Sequence, residues 1–243
     1  MNFENMTPDE ISLNTFPEDR INYFRELYLK YGEDLKKYLA RQREFFNCYP
    51  SNLDDIEAEL LYLMIRDEKP ETVLEVSSAH GYSTTWILSA LKDNNFGTLY
   101  SCDTINAEEN ILLELRNRLN FKCNQVENIL DTLPKEVDFL LIDSDHRLPF
   151  AARLFDTLVP KVRIGCKVLV HDVFAFAHPA HGEAIHVFKY LNDNNIKCYT
   201  PSVCWFNNLS YIMKIRLEVG IDHTINRTCN RNSMLIFEKP MVV

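Results

Sequence analysis

The sequence predicts an α/β protein built on a doubly wound sheet, and three observations carry that expectation. Short apolar, β-branched runs at Thr72 to Val76, Thr98 to Cys102, Val137 to Ile142 and Lys167 to Val170 read as strands buried on both faces of a parallel sheet. Stretches of helical periodicity lie between several of them. The strand-like runs end in polar or titratable residues, Asp103, Asp143 with Asp145, and His171 with Asp172, at the edge where open α/β sheets hold ligands.

A chain of 243 residues suits one sizeable domain, at 53–243, preceded by an N-terminal helical extension at 1–52. The net charge of −9 argues against a grip on nucleic acid, which needs Lys and Arg on the phosphates, so a small-molecule partner is expected. No apolar run approaches a membrane span, and the opening Met1 to Glu10 lacks a basic-then-apolar signal; the expected place is the cytoplasm. Seven cysteines without a C-x-x-C pair indicate neither a zinc site nor a disulfide framework.

Residues 18–46 carry an apolar stripe that includes Ile21, Phe24, Leu27, Tyr28, Tyr31, Leu35 and Leu39, with Gly32 a point where the helix could divide. This segment has two open readings, a cover over the ligand cleft or a contact in a homo-oligomer. Ser51 to Asp54 resembles a capping box for the next helix, which runs inward through Ile56, Leu60, Leu61, Met64 and Ile65 to Pro70. After the second strand a helix is expected at 107–119, then a third strand from Phe121 to Val126 whose polar character suits a position near the sheet edge. A helix from about Pro149 to Val159 follows the fourth strand. A loop at 174–186 with His178, His181 and His186 is a candidate acceptor loop, and Gly182 opens a helix to about Asn194. Ile196 to Thr200 and Ser233 to Glu238 read as the last two strands, and residues 204–231 between them are long for a hairpin.

The turn after the first strand is the most informative stretch. Glu75-Val-Ser-Ser-Ala-His-Gly81-Tyr82-Ser83 leads from a strand into a helix, the arrangement that binds nucleotide-like cofactors through backbone N–H groups. It lacks the three glycines of a pyrophosphate cradle, and a cofactor bearing a carboxylate and an amine tolerates Ser and Ala there. The motif resembles the first motif of class I S-adenosylmethionine-dependent methyltransferases, and is most similar to the catechol-type and small-molecule O-methyltransferases, with Ser77 in place of the family's first glycine. Asp143-Ser-Asp145-His146 likewise resembles the family's Ile-Asp-Gly-Asp-His motif, and the apolar run ending in His171-Asp172 resembles its counterpart on the fifth strand.

The resemblance implies a Rossmann-like, mostly parallel seven-stranded sheet with an antiparallel last strand, plus N-terminal helices. It implies S-adenosylmethionine as cofactor, held by Glu75, Ser77, Gly81, Tyr82, Ser83, Asp103, Asn128 and Asp143, with Glu127 a weaker candidate. Asp103 also stands about 20 residues past the glycine turn, where an acidic residue bonds ribose hydroxyls. Carboxylates with one imidazole suit Mg²⁺, Mn²⁺ or Ca²⁺, so Asp143, His171 and Asp172 are candidate metal ligands. In the alternative no metal binds and His171, with an ordinary pKa of about 6.5, or Asp145 takes the acceptor's proton. The expected activity is O-methylation of a small molecule. Two rivals stand beside it: a catalytically silent S-adenosylmethionine-binding or scaffold protein, motivated by the lost glycine, and a nicotinamide dehydrogenase, which the absent G-x-G-x-x-G disfavours.

Overall fold

A computed structural model describes residues 18–46, 53–173, 182–201, 206–222, 225 and 234–241. Its centre is a seven-stranded sheet in the order β3-β2-β1-β4-β5-β7-β6. The strands are β1 (Thr72–Val76), β2 (Thr98–Asp103), β3 (Leu119–Cys123), β4 (Val137–Ile142), β5 (Val162–Val170), β6 (Cys198–Tyr199) and β7 (Leu235–Glu238). Strands β1 to β5 pair in parallel, and β7 is antiparallel to both β5 and β6. This is the seven-stranded, doubly wound sheet with an antiparallel last strand that the sequence leads one to expect.

Because side chains alternate across a strand, each strand feeds two cores. Val73, Leu99, Phe139, Leu141, Leu169 and Ile236 face the first, shared with helices α1 (Glu18–Phe46), α2 (Asp55–Glu68), α3 (Tyr82–Asn94) and α6 (Phe206–Glu218). Leu74, Cys102, Leu140, Val168, Val170 and Phe237 face the second, covered by α4 (Leu148–Leu158) and α5 (Ala184–Asp193). Burial on both faces explains why the central strands read as unbroken apolar runs. The same alternation carries past the strand ends: Asp143 continues the Phe139, Leu141 series and His171 continues from Leu169, so both point toward α2.

Several boundaries differ from the sequence reading, each for a physical reason. Helix α1 runs unbroken through Gly32, where a β-carbon would lie 3.4 Å from Val219 Cγ2; the bare backbone allows close approach to the end of α6. The capping box of α2 is Asp54 with Glu57, each side chain bonding the other's backbone N–H; Ser51 lies outside the described residues. In place of a helix at 107–119 there are two 3₁₀ segments, Glu108–Asn110 and Leu113–Arg118. Only Ile111 and Leu115 are buried along the second half of that stretch, too narrow an apolar face to dock an α-helix. Strand β3 consequently starts at Leu119, in register with Leu99, and Val126 falls in a 3₁₀ turn. Strand β5 begins at Val162 and passes through Gly165, whose N–H bonds Lys239 O.

Gly97 feeds β2 at φ +87°, and a β-carbon there would meet Pro70 O at 2.2 Å, so only glycine fits. Helix α6 has weak amphipathic patterning and was not expected within 204–231. A buried ion pair seats it instead: Arg216 donates to Glu59 through Nε (2.9 Å) and Nη2 (3.0 Å), while Tyr28 OH donates to the same carboxylate at 2.7 Å. Glu59 and Arg216 are each 1% exposed. Burial pushes the Glu59 carboxyl up, and Arg216 and Tyr28 hold it down against that. One bidentate pair thereby ties α1, α2 and α6 together.

Arg216→Met leaves that carboxylate buried without its cation and is expected to cost about 3–5 kcal/mol in urea-unfolding free energy. The double change Arg216→Met with Glu59→Leu is expected to recover most of that loss.

Candidate active site

The turn between β1 and α3 takes the left-handed conformation at three alternate residues, Ser77 (φ 69°), Ala79 (φ 46°) and Gly81 (φ 94°). Left-handed backbone costs an L-residue roughly 1–2 kcal/mol, so neighbouring bonds must hold this path. Ser77 N–H donates to Cys102 O (2.8 Å), Ala79 N–H to Asp103 Oδ2 (2.8 Å) and Gly81 N–H to Ser78 O (2.8 Å). At Gly81 a side chain would be strained chiefly by the left-handed backbone, and its β-carbon would also push the tip of Ile111, 2.9 Å away. Ser77 thus occupies the conformation that favours glycine, which accounts for the family's glycine at this place and shows the loop keeping its path without it.

Glu75 is fully buried on the α2–α3 side of β1. Its carboxylate accepts from Ser83 Oγ (2.5 Å), Thr84 Oγ1 (2.7 Å) and Ser101 Oγ (2.7 Å). Burial raises its pKa, and the three hydroxyls oppose that rise. Glu75 and Ser83 therefore pin the start of α3 to β1 and β2. Tyr82 is also turned inward, edge-on to Trp86 with its hydroxyl 3.4 Å from Asp55 Oδ1. The N-cap residue of α3, Gly81, has no side chain with which to cap it.

At the carboxyl ends of the strands lies a cleft of about 440 Å³, walled by Val76 and Ser77 after β1, Cys102 to Thr104 at β2, Asn124 to Glu127 after β3, and Ser144, Asp145, Arg147 and Phe150 after β4. Its size suits a small organic ligand. Asp103 stands on its wall with both carboxylate oxygens engaged by the loops, Oδ2 with Ala79 N–H and Oδ1 with Ile105 N–H (2.9 Å). Asp145 also lines it, held by Arg147 through the backbone N–H (3.0 Å) and the guanidinium. Those bonds hold the Asp145 carboxyl below the usual carboxylate range. The hydroxyl oxygen of Ser144 is buried there without a hydrogen-bond partner.

The second feature is a rim of acids and imidazoles at β4 and β5. His171 is fully buried, with Nε2 3.0 Å from Glu57 Oε2 and Nδ1 3.3 Å from Asp143 Oδ1 and 3.2 Å from Asp172 Oδ1. Burial pushes its pKa down, but Asp143 and Glu57 outweigh that and raise it well above the ordinary value. His146 lies between Asp172 Oδ2 (Nε2, 3.1 Å) and Glu183 Oε1 (Nδ1, 2.7 Å). Burial again opposes charging, and the bonds to Asp172 and Glu183 prevail, pushing His146 up to about 10. Glu57 accepts a further bond from Met234 N–H (2.8 Å), so β7 is tied in as well.

The sequence-derived residues divide into three groups. Ser77, Asp103 and Asp145 reach the cleft, whereas Asp143, His171 and Asp172 gather on the rim. Glu75, Tyr82 and Ser83 face the interior, and Asn128 bonds Asn124 beside the cleft without lining it. Asp143 and Asp145 diverge because the chain leaves the extended conformation after β4: Asp143 meets His171, whereas Asp145 turns back on Arg147. Glu57, Glu183, Arg147 and Phe150 were not singled out in the sequence. Of the candidate acceptor loop, residues 174–181 lie outside the described residues, and His186 pairs with Asp156 at 2.7 Å.

A family model described as "Methyltransferase domain" matches residues 74–173, from the middle of β1 to just past β5. Among solved structures of similar fold is an O-methyltransferase from Bacillus cereus in complex with S-adenosylhomocysteine, at 13% identity and a TM-score of 0.53, with 85% of this chain and 91% of that chain covered. Another is TomG, an O-methyltransferase from Streptomyces achromogenes involved in tomaymycin synthesis, in complex with S-adenosylmethionine; identity is 18% and the TM-score 0.54, over 85% of this chain and 90% of that chain. No curated protein matches the chain. The resemblance read from the motifs and the Rossmann-like fold it implies agree with these findings. Glu57 and Glu183 lie outside the span matched to the methyltransferase domain, yet each supplies a carboxylate to a histidine on its rim.

Ser77→Gly relieves left-handed strain while adding freedom to the unfolded chain, so the protein is expected to keep its loop and gain up to about 1 kcal/mol. Thermal denaturation of the two proteins side by side measures the difference.

Proposed function

We propose that the chain transfers the methyl group of S-adenosylmethionine to an oxygen atom of a small-molecule acceptor. The observation that carries this reading is the cleft at the carboxyl ends of β1, β2 and β4, set within a methyltransferase domain and bordered by the acidic-imidazole rim. The solved O-methyltransferases of the same fold hold S-adenosylmethionine or S-adenosylhomocysteine. The residues present fit that cofactor. Asp103 offers oxygens to ribose hydroxyls, and Ser77, Asp145 and the backbone after β1 line the space beside it, with the buried, unpartnered Ser144 hydroxyl in the same wall. Asn124, Gln125 and Glu127 form the wall toward the adenine end, with Asn128 behind them.

S-adenosylmethionine supplies the electrophilic methyl group, and the chain's task is alignment, worth roughly 7–11 kcal/mol in well-oriented systems. Glu75, Ser83 and Gly81 act at one remove, fixing the loop on which the cofactor rests. Asp145, oriented by Arg147, is a carboxylate on the cleft wall able to accept a hydrogen bond from the acceptor's hydroxyl. His171 fits the role of general base poorly, because both ring nitrogens already face carboxylates in a fully buried position. We assign it instead as the counter-ion that lets Glu57, Asp143 and Asp172 share one rim. A divalent cation fits this rim too: Asp143, His146 and Asp172 bring donor atoms within 4.8 Å of one another, and a bound cation would polarise the acceptor oxygen.

The silent-scaffold reading drew on the loss of a glycine at Ser77, and the retained left-handed path weakens that motive. Among the described residues no helix is long and apolar enough to cross a membrane. Action in the cytoplasm belongs to the proposal.

Calorimetry with S-adenosylhomocysteine is the direct test, and saturable one-to-one binding is expected; absence of any heat would overturn the reading. Asp103→Ala removes charge-assisted hydrogen bonds worth about 1.5–3 kcal/mol and is expected to weaken binding about 10- to 100-fold. Addition of the chain to NADH is expected to leave its fluorescence unchanged.

A further inference from the structure

We infer that a side pocket adjoining the cleft lets the chain take an adenosine cofactor enlarged on its exocyclic amine by an apolar ring. The inference rests on the S-adenosylmethionine reading, because that reading sets which end of the cleft holds the base. The pocket measures about 240 Å³ and is lined by Glu127 and Leu130 on one side and by Phe150, Arg153, Leu154 and Thr157 on the other. Glu127 and Phe150 also line the cleft, so the two spaces meet at those side chains.

The space has a local cause. A crossover between parallel strands usually carries an α-helix, yet between β3 and β4 there are only two single 3₁₀ turns, Val126–Asn128 and Leu130–Thr132. Those turns and α4 pack on the same face of the sheet, over the second core. Without a helix beside it, one flank of α4 is left bare, and Phe150, Arg153, Leu154 and Thr157 recur along that flank at helical spacing.

The lining selects an apolar occupant. Leu154 is buried, and Leu130 packs partly buried against the second core. Thr157 spends its hydroxyl on Arg153 O at 2.7 Å. Polar side-chain groups are then confined to Glu127 and Arg153, which pair with each other at 3.7 Å. Their side chains are 42% and 72% exposed, and an exposed pair of this length contributes little, so it parts for an entering group at small cost. A cavity of about 150 Å³ lined by Leu, Ile and Phe already takes benzene. With the ribose at Asp103 and the base at Asn124 to Glu127, the exocyclic amine lies on the edge of adenine remote from the ribose. A benzyl group on that nitrogen continues past Glu127 and Phe150 toward Leu130 and Leu154.

The test is calorimetry on the full chain with S-adenosylhomocysteine and with its derivative carrying a benzyl group on the exocyclic amine. The derivative is expected to bind about tenfold more tightly, from burial of the ring. Thr157 does not line the cleft, so Thr157→Phe is expected to fill the pocket and remove that gain while leaving affinity for S-adenosylhomocysteine unchanged. Thermal melts check that the variant folds. A measurement on the unaltered chain stands beside it: irradiation of the bound azidobenzyl derivative, followed by peptide mapping, is expected to label residues within 127–130 and 150–157. The inference is overturned if the benzyl derivative binds no more tightly than its parent, if the gain survives in folded Thr157→Phe, or if the label falls elsewhere. Parent binding without a gain removes the side pocket and keeps the methyltransferase reading, whereas absence of binding by both compounds removes the two together.

Discussion

The contact on which the site depends is the meeting of His171 with Glu57, Asp143 and Asp172 in a place closed to water. Three carboxylates so close repel one another, and burial strips their hydration, so holding them together is costly without a cation among them. The imidazole supplies that charge and also geometry. One ring nitrogen fixes α2 over the sheet, and the other fixes the ends of β4 and β5 side by side. Glu57 extends the constraint, since its N–H is capped by Asp54 and its second oxygen receives the N–H of Met234. Four separate parts of the chain are therefore referenced to one ring.

Much of this architecture was legible in the sequence because its cause is local. A strand buried on both faces is apolar except where a polar side chain finds a buried partner, as Glu75 does in Ser101, and the change from apolar run to titratable residues at Ile142-Asp143 and Val170-His171 marks the strand ends. The left-handed turns at Gly81 and Gly97 were equally visible, since glycine at such positions has a steric reason. What could not be read was anything decided by partners far away in sequence. Glu57 and His171 are 114 positions apart, and His146 and Glu183 are 37 apart. Neither carboxylate carries a local sign of its partner. Glu57 looked like an ordinary first-turn residue, and His146 like a neighbour of the more conspicuous aspartates.

The misplaced elements share the same origin. Helix α6 has little amphipathic pattern of its own and is seated by the Arg216–Glu59 pair, 157 positions apart. The stretch 107–119 has enough leucine to suggest a helix, but its apolar residues do not line up on one buried face, and it settles as 3₁₀ turns beneath the loop that follows β1. In both places tertiary contact overrode local propensity, in opposite directions.

The strand order β5-β7-β6 has a consequence for the chain as it is made. β6 leaves the ribosome before β7 but lies outside it, so β6 has no ladder to join until residues 235–238 arrive and slot between it and β5. Glu57 waits longer still for Met234, which follows it by 177 positions. From the end of β5 at Val170 until residues 235–238 are made, the nascent chain thus has its parallel strands complete but the β5 edge open, and Glu57 still lacks the Met234 donor. Completion of the rim and closure of the outer sheet become a single late event.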